Sequence, residues 1–286
     1  MQAMRLRRSG GIEPGRLALA LLALLALLYL ALPLGYLLLA EPWPSVPAAL
    51  GDPLAVGALE TSLASATISA ALVTLFGVPL AYLLAQWRPL ARASMLLKGV
   101  VTLLIYTPLV FPAVVSGIVQ LLVYGPYGPI GGFFAAHGWE LDTTLTGVVL
   151  AQTFVAAPFA IVAAQSAFAA VPTATEAVAA TLGASRWRIF WTVSLPQAGG
   201  GVLAGIILTW LRAFGEFGAT AVLAYHPYTL PVYIYVQLTG LGTPAALPLA
   251  LLALLASIVA ISVALLLGSG LRLSGVSKRE EQGTRP

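Results

Sequence analysis

Six stretches of this sequence stay apolar for about twenty residues or more, the length an α-helix needs to cross a hydrocarbon core of about 30 Å. They run near Leu17 to Ala40, Leu59 to Ala85, Leu97 to Tyr124, Leu145 to Val171, Gln197 to Ala224 and Ala245 to Gly268. In lipid each backbone polar group must be satisfied within the protein, so spans of this length fold as helices. The expected fold is all-α: one polytopic membrane domain over residues 1–286 with six transmembrane helices. Composition supports this, with 59% hydrophobic and 8% charged residues where an ordinary soluble domain carries about a quarter charged. The chain has no cysteine, which excludes disulfides, thiolate metal sites and cysteine nucleophiles.

The net charge of +4 does not point to nucleic acid, because the charges sort by loop. Arg5, Arg7, Arg8 and Arg16 precede the first span. Arg88, Arg92 and Lys98 join the second to the third, Arg186 and Arg188 join the fourth to the fifth, and Arg272, Lys278, Arg279 and Arg285 follow the sixth. The three opposite loops hold no Lys or Arg, but contain Glu41, Asp52, Glu140 and Asp142, with Glu60 close by. Thirteen of the fourteen basic residues thus share one side, and the positive-inside rule makes both termini cytoplasmic in a multi-pass cell-membrane protein. The first apolar run is longer than the h-region of a secretory signal, so it reads as a retained anchor. Trp43, Trp87, Tyr124, Trp139 and Tyr225 fall near span ends, as interfacial anchors do.

In span three, "YTPLVFPAVVSG" places Pro108, Pro112 and Gly117 within the helix. Proline removes a backbone donor, which predicts a bent helix turned inward toward protein or water; simple packing would also accommodate these residues.

The longest cytoplasmic connection, "VPTATEAVAATLGASRWRIFWTVSLP" at 171–196, is punctuated as two short helices. Thr173 and Glu176 have capping-box spacing, Gly183 is placed for a left-handed C-terminal cap, and Ser185 caps the next turn. Pro196 then opens span five, where a missing N–H costs little. Arg186, Trp187 and Arg188 mix cation with aromatic beside exposed apolar residues, the pattern of a docking knob; for the two arginines, topology and lipid contact remain open.

The run Glu176, Ala177, Gly183, Val193, Leu195, Pro196 resembles the EAA loop of binding-protein-dependent ABC importer permeases. The thirteen residues from Gly183 to Pro196 match its spacing. Val178 replaces the second alanine, and Glu176 lies seven residues before the glycine rather than six, which is similar to the oxyanion members. "YTPLVFPAVVSGIVQLLVYGPYGPIG", "GEFGAT" and "TLPVYIY" resemble molybdate and tungstate permeases, from span two onward. The resemblance implies the type I importer permease fold and a homodimer. It also implies cytoplasmic ATPase subunits whose cleft receives the loop, and an extracytoplasmic oxyanion-binding protein. A sulfate permease is the alternative within the family. No G-x-x-x-x-G-K-[ST] stretch occurs, so ATP belongs to the partner subunit, and this chain is expected to bind no cofactor or metal and to catalyse no reaction.

Only Arg212 remains unassigned among the basic residues. With Glu216 it lies inside span five, and Gly205, Thr209, Arg212, Glu216 and Thr220 recur at intervals of four, three, four and four, which puts them on one helical face. A polar stripe of this kind lines a solvated pathway; the pair neutralising itself at i, i+4 is the competing reading, with the basic residue first, the weaker order. A stand-alone secondary transporter would need midplane carboxylates for a coupling ion, and Glu216 alone qualifies. An intramembrane enzyme has thinner support still, because His137 and His226 fall in outer loops and no H-E-x-x-H occurs.

Overall fold

The computed structural model describes residues 14–40, 43–87 and 91–283. Arg5, Arg7, Arg8, Glu41, Arg88 and Arg285, and the side chains of Arg272, Lys278 and Arg279, lie outside the described residues. Every element found there is helical, and six helices are long and apolar enough to cross a membrane.

The first span is α1 (Pro14–Ala40), which has no buried side chain among those described. After the short α2 (Ser45–Leu50), the second span runs from α3 (Pro53–Leu72) through a π turn (Val73–Gly77) into α4 (Val78–Gln86). It begins earlier than the apolar pattern suggests because Asp52 caps it: Oδ1 accepts from Leu54 N–H at 3.0 Å, and Pro53 occupies the first turn. The other carboxylate oxygen of Asp52 accepts from Tyr233 Oη–H at 2.7 Å. With 34 residues this span is about 50 Å long, so it outruns the hydrocarbon by a few turns.

Span three departs from expectation. Instead of one bent helix it is two, α5 (Arg92–Val110) and α6 (Ala113–Tyr124). Pro108 is accommodated inside α5, but Phe111 (ψ 132°) and Pro112 (ψ 137°) are extended. A residue before proline is pushed out of the helical region, and with Pro112 unable to donate, the ladder ends there. Only the second half turns inward: α6 buries Ser116, Gly117 and Gln120, while α5 buries Pro108 alone.

After α7 (Gly131–Ala136) comes α8 (Leu145–Ala169), the centre of the molecule. Thr144 caps it, accepting from Gly147 N–H at 3.3 Å, and its buried residues lie on all sides of the helix. The strand of small residues Ala160, Ala163 and Ala167 lets α11 approach closely: a Cβ on Gly201 would sit 2.6 Å from the Ala167 Cβ, and one on Gly205 2.9 Å from that of Ala163. Helix pairs in lipid gain mainly from such backbone proximity, since burying apolar surface offers little there.

The remaining elements are α9 (Thr173–Thr181), α10 (Arg186–Ile189), a second π turn (Phe190–Ser194), α11 (Leu195–Phe214), α12 (Gly218–Leu223), α13 (Leu230–Leu241) and α14 (Thr243–Gly283). Pro196 does not open span five. The helix is continuous in its path from Arg186 to Phe214, and the π turn immediately before Leu195-Pro196 shifts the hydrogen-bond ladder where proline cannot donate. Val73–Gly77 does the same ahead of Val78-Pro79.

Span five then breaks. Its helix ends at Phe214, and α12 begins at Gly218. α6 and α12, the second pieces of the two broken spans, pack in parallel: a Cβ on Gly218 would lie 2.8 Å from the Ala113 Cβ, and one on Gly117 2.8 Å from that of Val222.

Candidate functional site

The loop at 171–196 presents α9 with no buried residue, and Leu182 at its end is 83% exposed. Gly183 has φ +83°. The turn satisfies the last carbonyls of α9 in the left-handed manner expected: Gly183 N–H donates to Ala180 C=O at 3.0 Å and Ala184 N–H to Ala179 C=O at 3.1 Å. Nothing lies within 4 Å of a Cβ built on Gly183. Backbone conformation, not space, therefore demands the glycine. Ser185 accepts from Arg188 N–H at 3.3 Å and caps α10.

The capping box is absent. Pro172 is the N-cap of α9 and supplies no side-chain acceptor. Freed from that role, Glu176 bridges two other elements: Gln86 Nε2–H donates to Oε2 at 2.6 Å and Ser194 Oγ–H donates to Oε1 at 2.5 Å. Gln86 is the last residue of α4 and Ser194 ends the π turn below α11. One carboxylate thus ties the exposed helix α9 to spans two and five. Neither partner was evident in the sequence, since both are ordinary polar residues near span ends.

Aromatic packing adds a second tie. Tyr82 of α4, Phe168 of α8 and Phe190 of the π turn meet edge-on or tilted, with centroids 5.0 to 5.9 Å apart. Trp187 stacks on Phe190 at 6.0 Å. Ala177 lines the space between α9 and α4, and Leu195 is half-buried at the start of α11. α10 belongs to span five, so a displacement of α9 and α10 moves the base of α11 directly.

At the other end of α11, Arg212 Nη1 and Glu216 Oε2 are 2.5 Å apart, an ion pair by proximity rather than an aligned hydrogen bond. Their burial is unequal, 31% exposure for the Arg212 side chain and 1% for that of Glu216. Glu216 Oε1 also accepts from Ala219 N–H at 2.8 Å. Arg212 sits in the last turn of α11 and Glu216 just ahead of α12. Each charge therefore opposes the dipole end beside it, cation at free carbonyls and anion at free N–H groups. This accounts for the basic-first order that an uninterrupted helix would disfavour.

The break divides the five-residue stripe: Gly205, Thr209 and Arg212 lie in α11, while Glu216 and Thr220 fall beyond its end. Gly205 is pressed on α8 and Thr209 donates to Ala156 C=O at 3.2 Å, both buried. Thr220 is buried in α12, donating to Phe217 C=O at 2.9 Å. Only Arg212 reaches the side of α11 that the chain leaves uncovered, where Ala204, Leu208 and Gly215 are exposed.

Comparison with known proteins agrees with this architecture. Residues 77–273 match the family model described as "Binding-protein-dependent transport system inner membrane component". A "Probable molybdenum ABC transporter permease protein" of Haloferax volcanii is 44% identical over 231 residues, covering 81% of this chain and 82% of that protein. A molybdate/tungstate transport system permease protein of Thermococcus kodakarensis is 37% identical over 226 residues, covering 78% and 84%. A sulfate transport system permease protein of Synechocystis is 34% identical over 215 residues, covering 74% and 76%. Among solved structures, the bacterial alginate ABC transporter superposes with a TM-score of 0.66 at 16% identity, over 87% of this chain and 91% of that one. The membrane-spanning helices, the exposed helix pair tied to two spans and these similarities place the chain in the family of binding-protein-dependent transport system inner membrane components, a multi-pass permease subunit with the ABC importer fold.

Proposed function

We propose that this chain, paired with a second copy, forms the membrane pathway of an ATP-driven importer for a tetrahedral oxyanion, molybdate or tungstate. The tie of Glu176 to both Gln86 and Ser194 carries the coupling part of this reading. A cytoplasmic ATPase subunit receives α9 and the Gly183 turn in a cleft, with Gly183 and Arg188 at the contact, while Arg186 and Trp187 face the α4 side. Closure of the ATPase pulls on Glu176, and spans two and five move with it. An extracytoplasmic oxyanion-binding protein delivers substrate at the opposite face, so both termini are cytoplasmic.

The oxyanion assignment draws on the Haloferax and Thermococcus relatives, named for molybdenum and for molybdate/tungstate, which at 44% and 37% identity are more similar to this chain than the sulfate relative at 34%. Arg212 gives the pathway a positive charge on the uncovered face of α11. Glu216 moderates that charge so that the anion is not trapped, while Thr209 fastens α11 to α8 and Thr220 bonds to the Phe217 carbonyl at the start of α12.

The test is uptake by vesicles holding this chain with its ATPase and binding protein. Labelled molybdate and tungstate should enter with ATP, and excess sulfate should not compete. Transport of sulfate in preference to both would move the assignment to the alternative within the family. Uptake driven by an ion gradient without ATP would replace it with a secondary transporter. Orientation is checked by single cysteines at Tyr127, fully exposed, and Leu182. An impermeant thiol reagent should reach the first in intact cells and the second only after lysis.

A further inference from the structure

Between α4, α9 and α10 lies a cavity of about 600 Å³ that coupling by Glu176 does not require. Its walls are largely apolar, with Tyr82 and Leu83 on α4, Ala177 and Ala180 on α9 and Phe190 below. Two of its polar residues, Gln86 and Glu176, are already bonded to each other. Arg186 supplies the remaining charge, and it has no carboxylate partner among the described residues. The cavity sits where the spans Pro53–Gln86 and Arg186–Phe214 leave the membrane, with Leu83 and Trp187 exposed at its edge. Tryptophan at such a place marks the headgroup level.

An apolar slot of a size that holds a drug-sized ligand, opening at the headgroup level beside an arginine with no carboxylate partner among the described residues, fits an amphiphile with an anionic head. We propose that this cavity binds one anionic phospholipid, an acyl chain between Leu83 and Ala180 and its phosphate on the Arg186 guanidinium. The lipid stands between α9 and α4 beside the Glu176 tie, so it sets how far the docking helix stands off span two. The proposal rests on the reading that places Arg186 at the cytoplasmic leaflet, where anionic lipid is concentrated.

The experiment is native mass spectrometry of the full chain with its ATPase, taken from nanodiscs of phosphatidylglycerol and phosphatidylcholine in equal amounts. One phosphatidylglycerol per chain should survive detergent washing. Ala180→Trp and Leu83→Trp fill the slot from opposite walls and should each remove that lipid. Leu24→Trp on the exposed α1 should not. Arg186→Gln should lower retention of phosphatidylglycerol by about five-fold, the effect of one basic residue near an anionic surface, and leave phosphatidylcholine retention unchanged. Millimolar glycerol phosphate should not displace the lipid, because it lacks the chain. Equal retention of the two lipids by the unaltered protein would overturn the proposal. So would undiminished retention in both slot-filling variants, or displacement by glycerol phosphate. If one tryptophan variant fails to fold, the other decides. The measurement does not depend on sidedness: a retained lipid with inverted cysteine labelling would refute the orientation and leave the site standing.

Discussion

Glu176 and Glu216 both pin a helix, and they do it in opposite surroundings. Glu176 stands at the membrane edge and is held by two neutral donors from elements distant in sequence, Gln86 and Ser194. Glu216 is inside a span, 1% exposed, held by a cation four residues away and by the N–H of Ala219. The first is a tie between elements that water can partly replace. The second is a local device whose charge has no solvent to fall back on. The comparison teaches that burial, more than residue type, decides what removing each would cost.

The largest effect should come from orphaning the buried carboxylate. Arg212→Met leaves Glu216 without its cation and is expected to cost about 3 to 5 kcal/mol, read as a lower unfolding midpoint in detergent. Exchanging the charges, Arg212→Glu with Glu216→Arg, should not recover the loss. It sets an anion at the end of α11 and a cation at the start of α12, against both dipoles, and deprives Ala219 N–H of its acceptor. Full recovery of stability by the exchange would show that pairing alone matters and would remove the contrast drawn here.

Next in size is Gly183→Val. The strain of a β-branched residue at φ +83° is about 1 to 3 kcal/mol, and it falls on the turn between α9 and α10. Co-purification of the ATPase should drop while the chain still inserts. Gly183→Asn, which tolerates the left-handed region, should retain most of the association.

Glu176→Gln keeps an acceptor for one partner and loses the charge. A loss of about 1 kcal/mol or less is expected, because water reaches the site. The informative readout is coupling: ATP hydrolysis should persist while oxyanion uptake per ATP falls, and Gln86→Ala should do the same. Undisturbed coupling in both would reduce the tie to a surface contact. Smallest of all is Thr173→Ala, which should change stability by under about 0.5 kcal/mol because Thr173 does not cap α9. A loss of about 1 kcal/mol or more would restore the capping role.

Several features were legible in the sequence. The six spans follow from runs of apolar residues, whose length is a one-dimensional property. The cap of α9 at Gly183 and that of α10 at Ser185 follow from residues acting within a turn of themselves. The broken spans were legible only in part: Pro112 announced a disturbance, but whether the helix bends or ends depends on the conformation Phe111 adopts and on what α6 can pack against. Nothing in the run through Phe214 announced the second break.

What the sequence determined by itself was whatever depends on neighbours along the chain: span number, the glycine turn that ends α9 and the serine cap of α10. Tertiary structure decided the rest, because those features depend on groups brought together from far apart. Gln86 and Ser194 reach Glu176 across 90 and 18 residues, and α8 covers Gly205 and Thr209 while the longer Arg212 side chain stays partly exposed. A helical wheel assigns residues to a face only while the helix continues, and the break after Phe214 ended that assignment for Glu216 and Thr220. At that break the two charges sit at two helix ends, where each opposes a dipole.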